Sequence, residues 1–192
     1  MYRNLKMKLY IKNMVCERCI MAVRNVMEEL GIDYKDIVLG EVLLNSKITD
    51  NQKSKLLEKL NSLGFELIDD KRSRIVERIK TIIIDIIHYK NGFMESNLSD
   101  MLSTELNHDY SYLSNLFSEI EGTTIEKYFI AQKIEKVKEL LVYDELTLTE
   151  IAYKLNYSSV SYLSNQFKKL TGLTPGHFKK IKESKRKPLD KI

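Results

Sequence analysis

Two cysteines, Cys16 and Cys19, are the residues of this sequence best suited to soft-metal or redox chemistry. They are the only cysteines among 192 residues, too few for a disulfide framework. In a reducing compartment, a Cys-x-x-Cys pair indicates metal binding or redox activity. Two thiolates at this spacing can reach one ion, and a helix start with Arg18 nearby favours the ionised thiol. Three interpretations stay open: a metal site, a disulfide switch, and two ordinary cysteines on a partner-binding domain.

Other catalytic chemistry finds no support in the sequence. The histidines, His88, His108 and His177, have no ligand spacing, and no Ser/His/Asp set, phosphate-binding glycine loop or carboxylate pair occurs. We therefore do not expect an enzyme. The N-terminal sequence has no apolar run of signal-peptide length, and apolar stretches such as residues 82–84 are far shorter than the ~20 residues of a membrane span. We expect a cytoplasmic protein.

A polar tract, Ser-Tyr-Leu-Ser-Asn, occurs at residues 111–115 and again at 161–165. Around it, residues 97–129 and 147–179 align without a gap and share nine of 33 residues. Such a repeat indicates one supersecondary unit used twice. Each copy predicts a short helix, a tight turn, a second helix with one polar face, and a glycine stop. That is the plan of a helix-turn-helix, whose second helix lies in the DNA major groove.

The alternative to DNA binding is a helical bundle whose polar face only meets water. Two copies with the same tract, caps and helix stop favour DNA binding. Thr147 with Glu150, and Thr123 with Glu126, fit the capping box that satisfies free amides at a helix start. Between the copies, an apolar stripe over residues 125–141 predicts a connecting helix that fixes their spacing.

The first 70 residues predict a different architecture. Polar and apolar residues alternate at 8–12 and 65–68, as in half-buried strands, and helical stripes occupy 20–30 and 56–63. With two short strand candidates between these helices, the order is β-α-β-β-α-β. This is the split βαβ, or ferredoxin-like, plan.

A charged junction at residues 69–72 marks the predicted domain boundary. We predict an α+β ferredoxin-like sensor domain over 1–70, an all-α double helix-turn-helix domain over 71–182, and a basic tail over 183–192. Isoleucines on one face of residues 74–90 predict the first core helix of the second domain. A dimer seam is the alternative, although the pattern is too short for a coiled coil.

Charge distinguishes the two predicted recognition helices. Residues 109–121 contain three acidic side chains and no basic one, whereas residues 159–171 contain two lysines and no acid. Phosphate contacts supply most of the salt-dependent affinity for DNA. The second copy should therefore contribute more of that affinity.

Residues 74–182 resemble the DNA-binding domain of AraC/XylS-type transcription regulators. The most specific matches are LTEIA at 148–152, YSS at 157–159, SYLS at 161–164, FKK at 167–169 and GLTP at 172–175. The resemblance implies these groove-facing residues: Ser111, Ser114, Asn115, Val160, Ser161, Ser164 and Asn165. It places Lys168 and Lys169 where the family often contacts phosphate. Asn115 and Asn165 stand where the family often has arginine, so we expect contacts to adenine rather than guanine.

Residues 7–70 resemble a heavy-metal-associated domain of the copper-chaperone type. The matching feature is a strand followed by Met-x-Cys-x-x-Cys at a helix start, here Met14 to Cys19. The resemblance implies Cys16 and Cys19 as metal ligands, Met14 as a core residue, and Cu(I) or another soft ion as the cofactor. Asn13 replaces the usual glycine of the family.

These patterns together predict a sequence-specific DNA-binding transcription regulator that responds to a soft metal ion through Cys16 and Cys19. Its expected partner is double-stranded operator DNA, and RNA polymerase and a second copy of the chain are further candidate partners. The alternative is a metal-trafficking or thiol-redox protein whose helical domain binds a protein partner.

Overall fold

The computed structural model describes residues 7–90, 92–94 and 96–181. The chain forms two compact units, Met1–Thr81 and Ile82–Ile192, and the division falls inside a helix. The predicted domain limits after residues 70 and 182 remain predictions. The predicted basic tail lies outside the described residues.

A small antiparallel sheet and two helices make up most of the first unit. The elements are β1 (Met7–Lys12), α1 (Glu17–Glu29), β2 (Tyr34–Val38), β3 (Glu41–Leu44), α2 (Asp50–Ser62) and β4 (Glu66–Leu67). The strand order across the sheet is β2-β3-β1-β4, and each neighbouring pair is antiparallel. The order of elements along the chain is the predicted one. The assignment to the ferredoxin-like fold stays a prediction.

One face of this sheet packs against α1 and α2. Ile11 and Val42 from the sheet are buried with Val23 of α1 and with Leu56 and Leu60 of α2. Because successive strand residues point to opposite faces, this core requires apolar residues at every second position of β1 and β3. The alternation in the sequence therefore positions the core of the first unit.

The isoleucine stripe lies on α3 (Lys71–Ile84) and on the π-helical turn that continues it, Asp85–Tyr89. Ile79, Ile83 and Ile87 are fully buried within the single chain. The burial of Ile83 and Ile87, which belong to the second unit, supports the core-helix prediction over the dimer seam, whereas Ile79 belongs to the first unit. The π-helical turn was not predicted from the sequence.

The first turns of α3 contact the face of the sheet opposite to its core. The Arg74 guanidinium lies 4.8 Å from the ring centre of Tyr10 in β1. One turn later, Arg78 Nη1 lies 3.6 Å from Oε1 of Glu41 in β3. These contacts explain why the first turns of α3 belong to the first compact unit rather than the second.

The second unit is helical. Its helices are α4 (Leu98–Leu106), α5 (Tyr110–Glu121), α6 (Ile125–Tyr143), α7 (Leu148–Lys154), α8 (Val160–Thr171) and α9 (Pro175–Ile181). The pairs α4–α5 and α7–α8 are the two predicted copies, and α6 is the predicted connecting helix. None of the described helices is long and apolar enough to cross a membrane.

Capping side chains fix where α4, α6, α7 and α8 begin. Thr147 and Glu150 form the predicted capping box at α7. The second predicted box is wrong by one residue, because Thr124 rather than Thr123 caps α6. The carboxylate of Glu126 accepts a hydrogen bond from a tyrosine hydroxyl in α5 instead of closing a box.

Candidate nucleic-acid interface

Helix α5 holds the first polar tract on a firmly packed helix. Leu113 and Phe117 are fully buried, and the Phe117 ring centre lies 5.6 Å from that of Tyr128 in α6. With that side of the helix fixed, Ser111 and Asn115 are exposed and Ser114 is half-buried. The structure therefore places all three predicted groove residues of the first copy on α5, with two of them open to solvent.

Helix α8 repeats this arrangement for the second copy. Leu163 and Phe167 are fully buried, and the Phe167 ring meets Phe178 of α9 edge-on, with ring centres 5.5 Å apart. The predicted contact residues Val160, Ser161, Ser164, Asn165, Lys168 and Lys169 all lie on α8. Ser161, Asn165 and both lysines are exposed, whereas Val160 and Ser164 are half-buried.

The turns before the two recognition helices differ by one residue. Asn107 and Asn156 both adopt left-handed backbone conformations, with φ of 52° at each. They are 49 positions apart, whereas the residues at the N-cap positions of the following helices, Asp109 and Ser159, are 50 apart. The gapless sequence alignment hides this difference. In the second copy the left-handed residue comes one position earlier than in the first, and the turn that follows it is one residue longer. Asn tolerates the left-handed conformation better than most residues, so both turns close without glycine.

The start of α5 is tied to the connecting helix. The Tyr110 hydroxyl donates a hydrogen bond to the Glu126 carboxylate in the first turn of α6. This bond lowers the pKa of Glu126, while burial and the neighbouring carboxylate raise the pKa of Tyr110. An ionised carboxylate thus lies beside the first recognition helix. Lys168 and Lys169, by contrast, occupy the last turn of the second.

The connecting helix also supports the turn before α8. The Lys133 ammonium of α6 lies 3.7 Å from the ring centre of Tyr157, and burial lowers the pKa of Lys133 to about 8. Within the described part of the chain, the buried Tyr157 hydroxyl has no hydrogen-bond partner. Sequence reasoning missed this pair. A lysine inside the apolar stripe of α6 was the available signal, because a buried lysine needs a compensating partner.

The two cysteines lie at the start of α1. Cys16 is the N-cap residue of that helix, and the Cys16 and Cys19 sulfur atoms are 3.3 Å apart. Burial raises the pKa of the Cys19 thiol, opposite to the ionised thiol expected from a helix start. Met14 is buried, with 3% of its surface exposed. The described residues contain no group of three or more His, Cys, Asp or Glu side chains that could hold a metal ion.

Comparison with known proteins shows what the helical unit is similar to. Residues 102–181 match the family model described as a helix-turn-helix domain. The chain is 31% identical over 91 residues to the "Uncharacterized HTH-type transcriptional regulator YtdP" of Bacillus subtilis, covering 47% of this chain and 12% of that protein. It is 34% identical over 71 residues to the "Xylose operon regulatory protein" of Escherichia coli K12, covering 37% of this chain and 18% of that protein.

A solved structure agrees with this assignment. The C-terminal domain of AraT, a response regulator from Geobacillus stearothermophilus, is 27% identical, with a TM-score of 0.50 over 58% of this chain and 88% of that chain. The helical unit therefore resembles the helix-turn-helix domains of AraC-type regulators. This chain spans less than a fifth of the length of the two regulators named above. Residues 1–101 lie outside the matched family model.

Proposed function

We propose that this protein is a sequence-specific DNA-binding transcription regulator of the AraC type. The observation that carries the proposal is the repeated presentation of one polar tract. In both copies the second helix of a helix-turn-helix is anchored by a buried leucine and phenylalanine, with serine and asparagine exposed. The match to a helix-turn-helix family model and the names of the similar regulators support the same function.

The exposed side chains suit base readout in the major groove. The amide of asparagine offers one donor and one acceptor, which match N7 and N6 of adenine. Asn115 and Asn165 are therefore proposed to contact adenine, with Ser111, Ser114, Ser161 and Ser164 as further hydrogen-bonding groups. Val160 has no polar atom in its side chain, so a thymine methyl group is its natural neighbour.

Phosphate contacts are assigned to the second copy. Lys168 and Lys169 are exposed at the end of α8, and α5 has no basic side chain. Each phosphate that a lysine neutralises steepens the salt dependence of binding by about one unit in a log–log plot. We therefore expect α8 to supply the larger electrostatic share of affinity.

A duplex titration over a salt series tests this function. Selection from random duplexes yields a preferred site, and binding to that site is then compared with binding to an unrelated duplex. DNA binding predicts a preference that persists while both affinities fall with salt. Absence of binding to any duplex at low salt would favour the rival, in which the helical unit binds a protein partner.

The cysteine pair supports a second proposal, that the first unit senses a soft metal ion such as Cu(I). Two sulfur ligands of one tetrahedral ion, each ~2.3 Å from the metal, stand ~3.8 Å apart. The Cys16 and Cys19 sulfur atoms are 3.3 Å apart, shorter than that distance, so they would have to move apart slightly to hold one ion. Thiolates select copper(I) and zinc-group ions. In this proposal the first unit is a heavy-metal-associated-like, ferredoxin-like sensor whose two thiolates hold the ion.

The metal proposal is tested with a variant carrying both Cys16→Ser and Cys19→Ser. The anisotropy of a labelled preferred duplex is followed with Cu(I), Zn(II), oxidant or reductant, for the wild type and the variant. A metal response lost only in the variant supports sensing, and typical couplings would change affinity roughly 5- to 150-fold. Identical curves in all conditions would contradict metal sensing, and a response to oxidant alone would indicate a disulfide switch.

The transcription-regulator proposal also includes contact with RNA polymerase, formation of a homodimer and a cytoplasmic location.

A further inference from the structure

Each recognition helix exposes a tyrosine that is absent from the predicted set of base contacts. Tyr112 of α5 and Tyr162 of α8 occupy the second position of the two polar tracts, and 44% and 51% of their surfaces are exposed. A large aromatic side chain directed into solvent gains little from folding. Its presence at the same position of both helices calls for a role outside the core.

The hydroxyl of Tyr162 is prepared to donate a hydrogen bond. Gln166, one helical turn later, donates from Nε2 to the Tyr162 oxygen at 2.9 Å. Among the residues that the structure describes, none accepts a hydrogen bond from Tyr162. A phenol that already accepts a bond keeps its own hydrogen for an acceptor. A phosphate oxygen is an acceptor only, and a charged acceptor makes the stronger bond.

The ring of Tyr162 is also held in place. Its centre lies 6.2 Å from that of Tyr157, at an angle of 58°. The Lys133 ammonium covers Tyr157 in turn, at 3.7 Å from the ring centre. A side chain oriented before binding loses less conformational freedom when it meets its partner.

The position of Tyr162 on α8 points to the DNA backbone. Residues three, four and seven positions apart share one side of a helix, so Tyr162 shares a side with Asn165 and Lys169. Both of these are exposed. The geometry points to Tyr162 as a further DNA contact, whose hydroxyl donates to a phosphate oxygen beside the base that Asn165 reads. This inference rests on the proposed DNA-binding function.

The first copy offers a natural comparison. Its position equivalent to Gln166 is Leu116, which is buried, so Tyr112 has no glutamine partner there. Tyr112 instead lies beside His108, with ring centres 5.1 Å apart. The orientation of the hydroxyl by glutamine is thus a feature of α8, the helix that also carries the lysines.

The test removes one oxygen with Tyr162→Phe, which keeps the ring. Binding to the preferred duplex and to an unrelated duplex should weaken alike, by about tenfold or more, because a hydrogen bond to a charged group is stronger than one between neutral groups. The salt slope should stay unchanged because the tyrosine carries no charge, whereas Lys169→Ala lowers the slope by about one. Tyr143→Phe, at an exposed tyrosine at the end of α6, serves as the matched control and should bind like the wild type.

A second variant tests the orientation. Gln166→Leu introduces the residue found at the equivalent position of the first copy and leaves the Tyr162 hydroxyl in place. It should weaken binding, but by less than Tyr162→Phe does. Stronger binding of Gln166→Leu, or wild-type affinity of Tyr162→Phe, would overturn the phosphate contact. A loss confined to the preferred duplex would overturn it in favour of a base contact. If the wild type bound no duplex, the proposed function and this inference would fail together; with wild-type binding intact, the outcomes above concern Tyr162 alone.

Discussion

Replacing Lys133 with methionine should make the protein more stable at neutral pH, by an amount that shrinks as the pH rises. Only 9% of Lys133 is exposed, and burial lowers its pKa from 10.5 to about 8. This difference corresponds to ~3 kcal/mol of penalty on the charged form in the folded state. The Tyr157 ring beneath the ammonium recovers about 0.5–2 kcal/mol of it. The expected net gain of Lys133→Met at pH 7 is therefore ~1–3 kcal/mol.

The direction of the pH dependence follows from the lowered pKa. Between about pH 8 and 10.5, the unfolded chain keeps the Lys133 proton while the folded chain has lost it. The unfolded state then binds more protons, so the wild-type free energy of unfolding rises with pH across this window. Methionine has a similar helix propensity and no proton, so the variant lacks this contribution.

Urea unfolding of both proteins at pH 7, 8, 9 and 10 measures the difference directly. Other groups that titrate in this range do so in both proteins, so their contributions cancel. Lys127→Met, at an exposed lysine on the same helix, controls for the loss of a surface charge. A stability difference that stays constant with pH, or a wild type more stable than Lys133→Met at pH 7, would refute the reasoning.

Four further substitutions have expected outcomes that can be measured. Asn165→Ala should weaken binding to the preferred duplex by ~1–3 kcal/mol and relax the preference at one base pair; selection that returns guanine there would contradict the adenine assignment. Lys168→Ala and Lys169→Ala should weaken binding to all duplexes alike and lower the salt slope by about one each, as titrations from 50 to 200 mM salt would show. Gly92→Ala should lower the free energy of unfolding by ~1–3 kcal/mol in urea. At Gly92 φ is +75°, and an added Cβ would stand 3.2 Å from the Leu155 carbonyl oxygen. An unchanged midpoint of urea unfolding would contradict this prediction.

The double helix-turn-helix was predictable because its signals are local and occur twice. The spacing of one helical turn between Leu113 and Phe117, and between Leu163 and Phe167, specifies which side of each helix is buried. Caps such as Thr147 act within four residues and can be read from adjacent letters. The order of elements in the first unit was readable for the same reason, from alternation and helical periodicity.

Features that depend on contacts between distant residues were not predictable. The partner of Glu126 was missed, since the bond from Tyr110 to Glu126 joins two helices. Burial of the Cys19 thiol likewise depends on the packing of its neighbours, and it outweighs the effect expected of a helix start. The position of Lys133 over the ring of Tyr157 joins α6 to a turn that lies 24 positions later in the sequence.

In the proposed complex with DNA, the two copies share a backbone plan but contribute different groups. Helix α5 is tethered at its start by the bond from Tyr110 to Glu126 and has no lysine, so its contribution rests on uncharged groups such as Asn115. Helix α8 adds two lysines. Because unlike charges attract over distances of several ångströms while hydrogen bonds require contact, α8 should engage the duplex first at any sequence. Base readout by α5 would then act mainly to select among sites that α8 already holds.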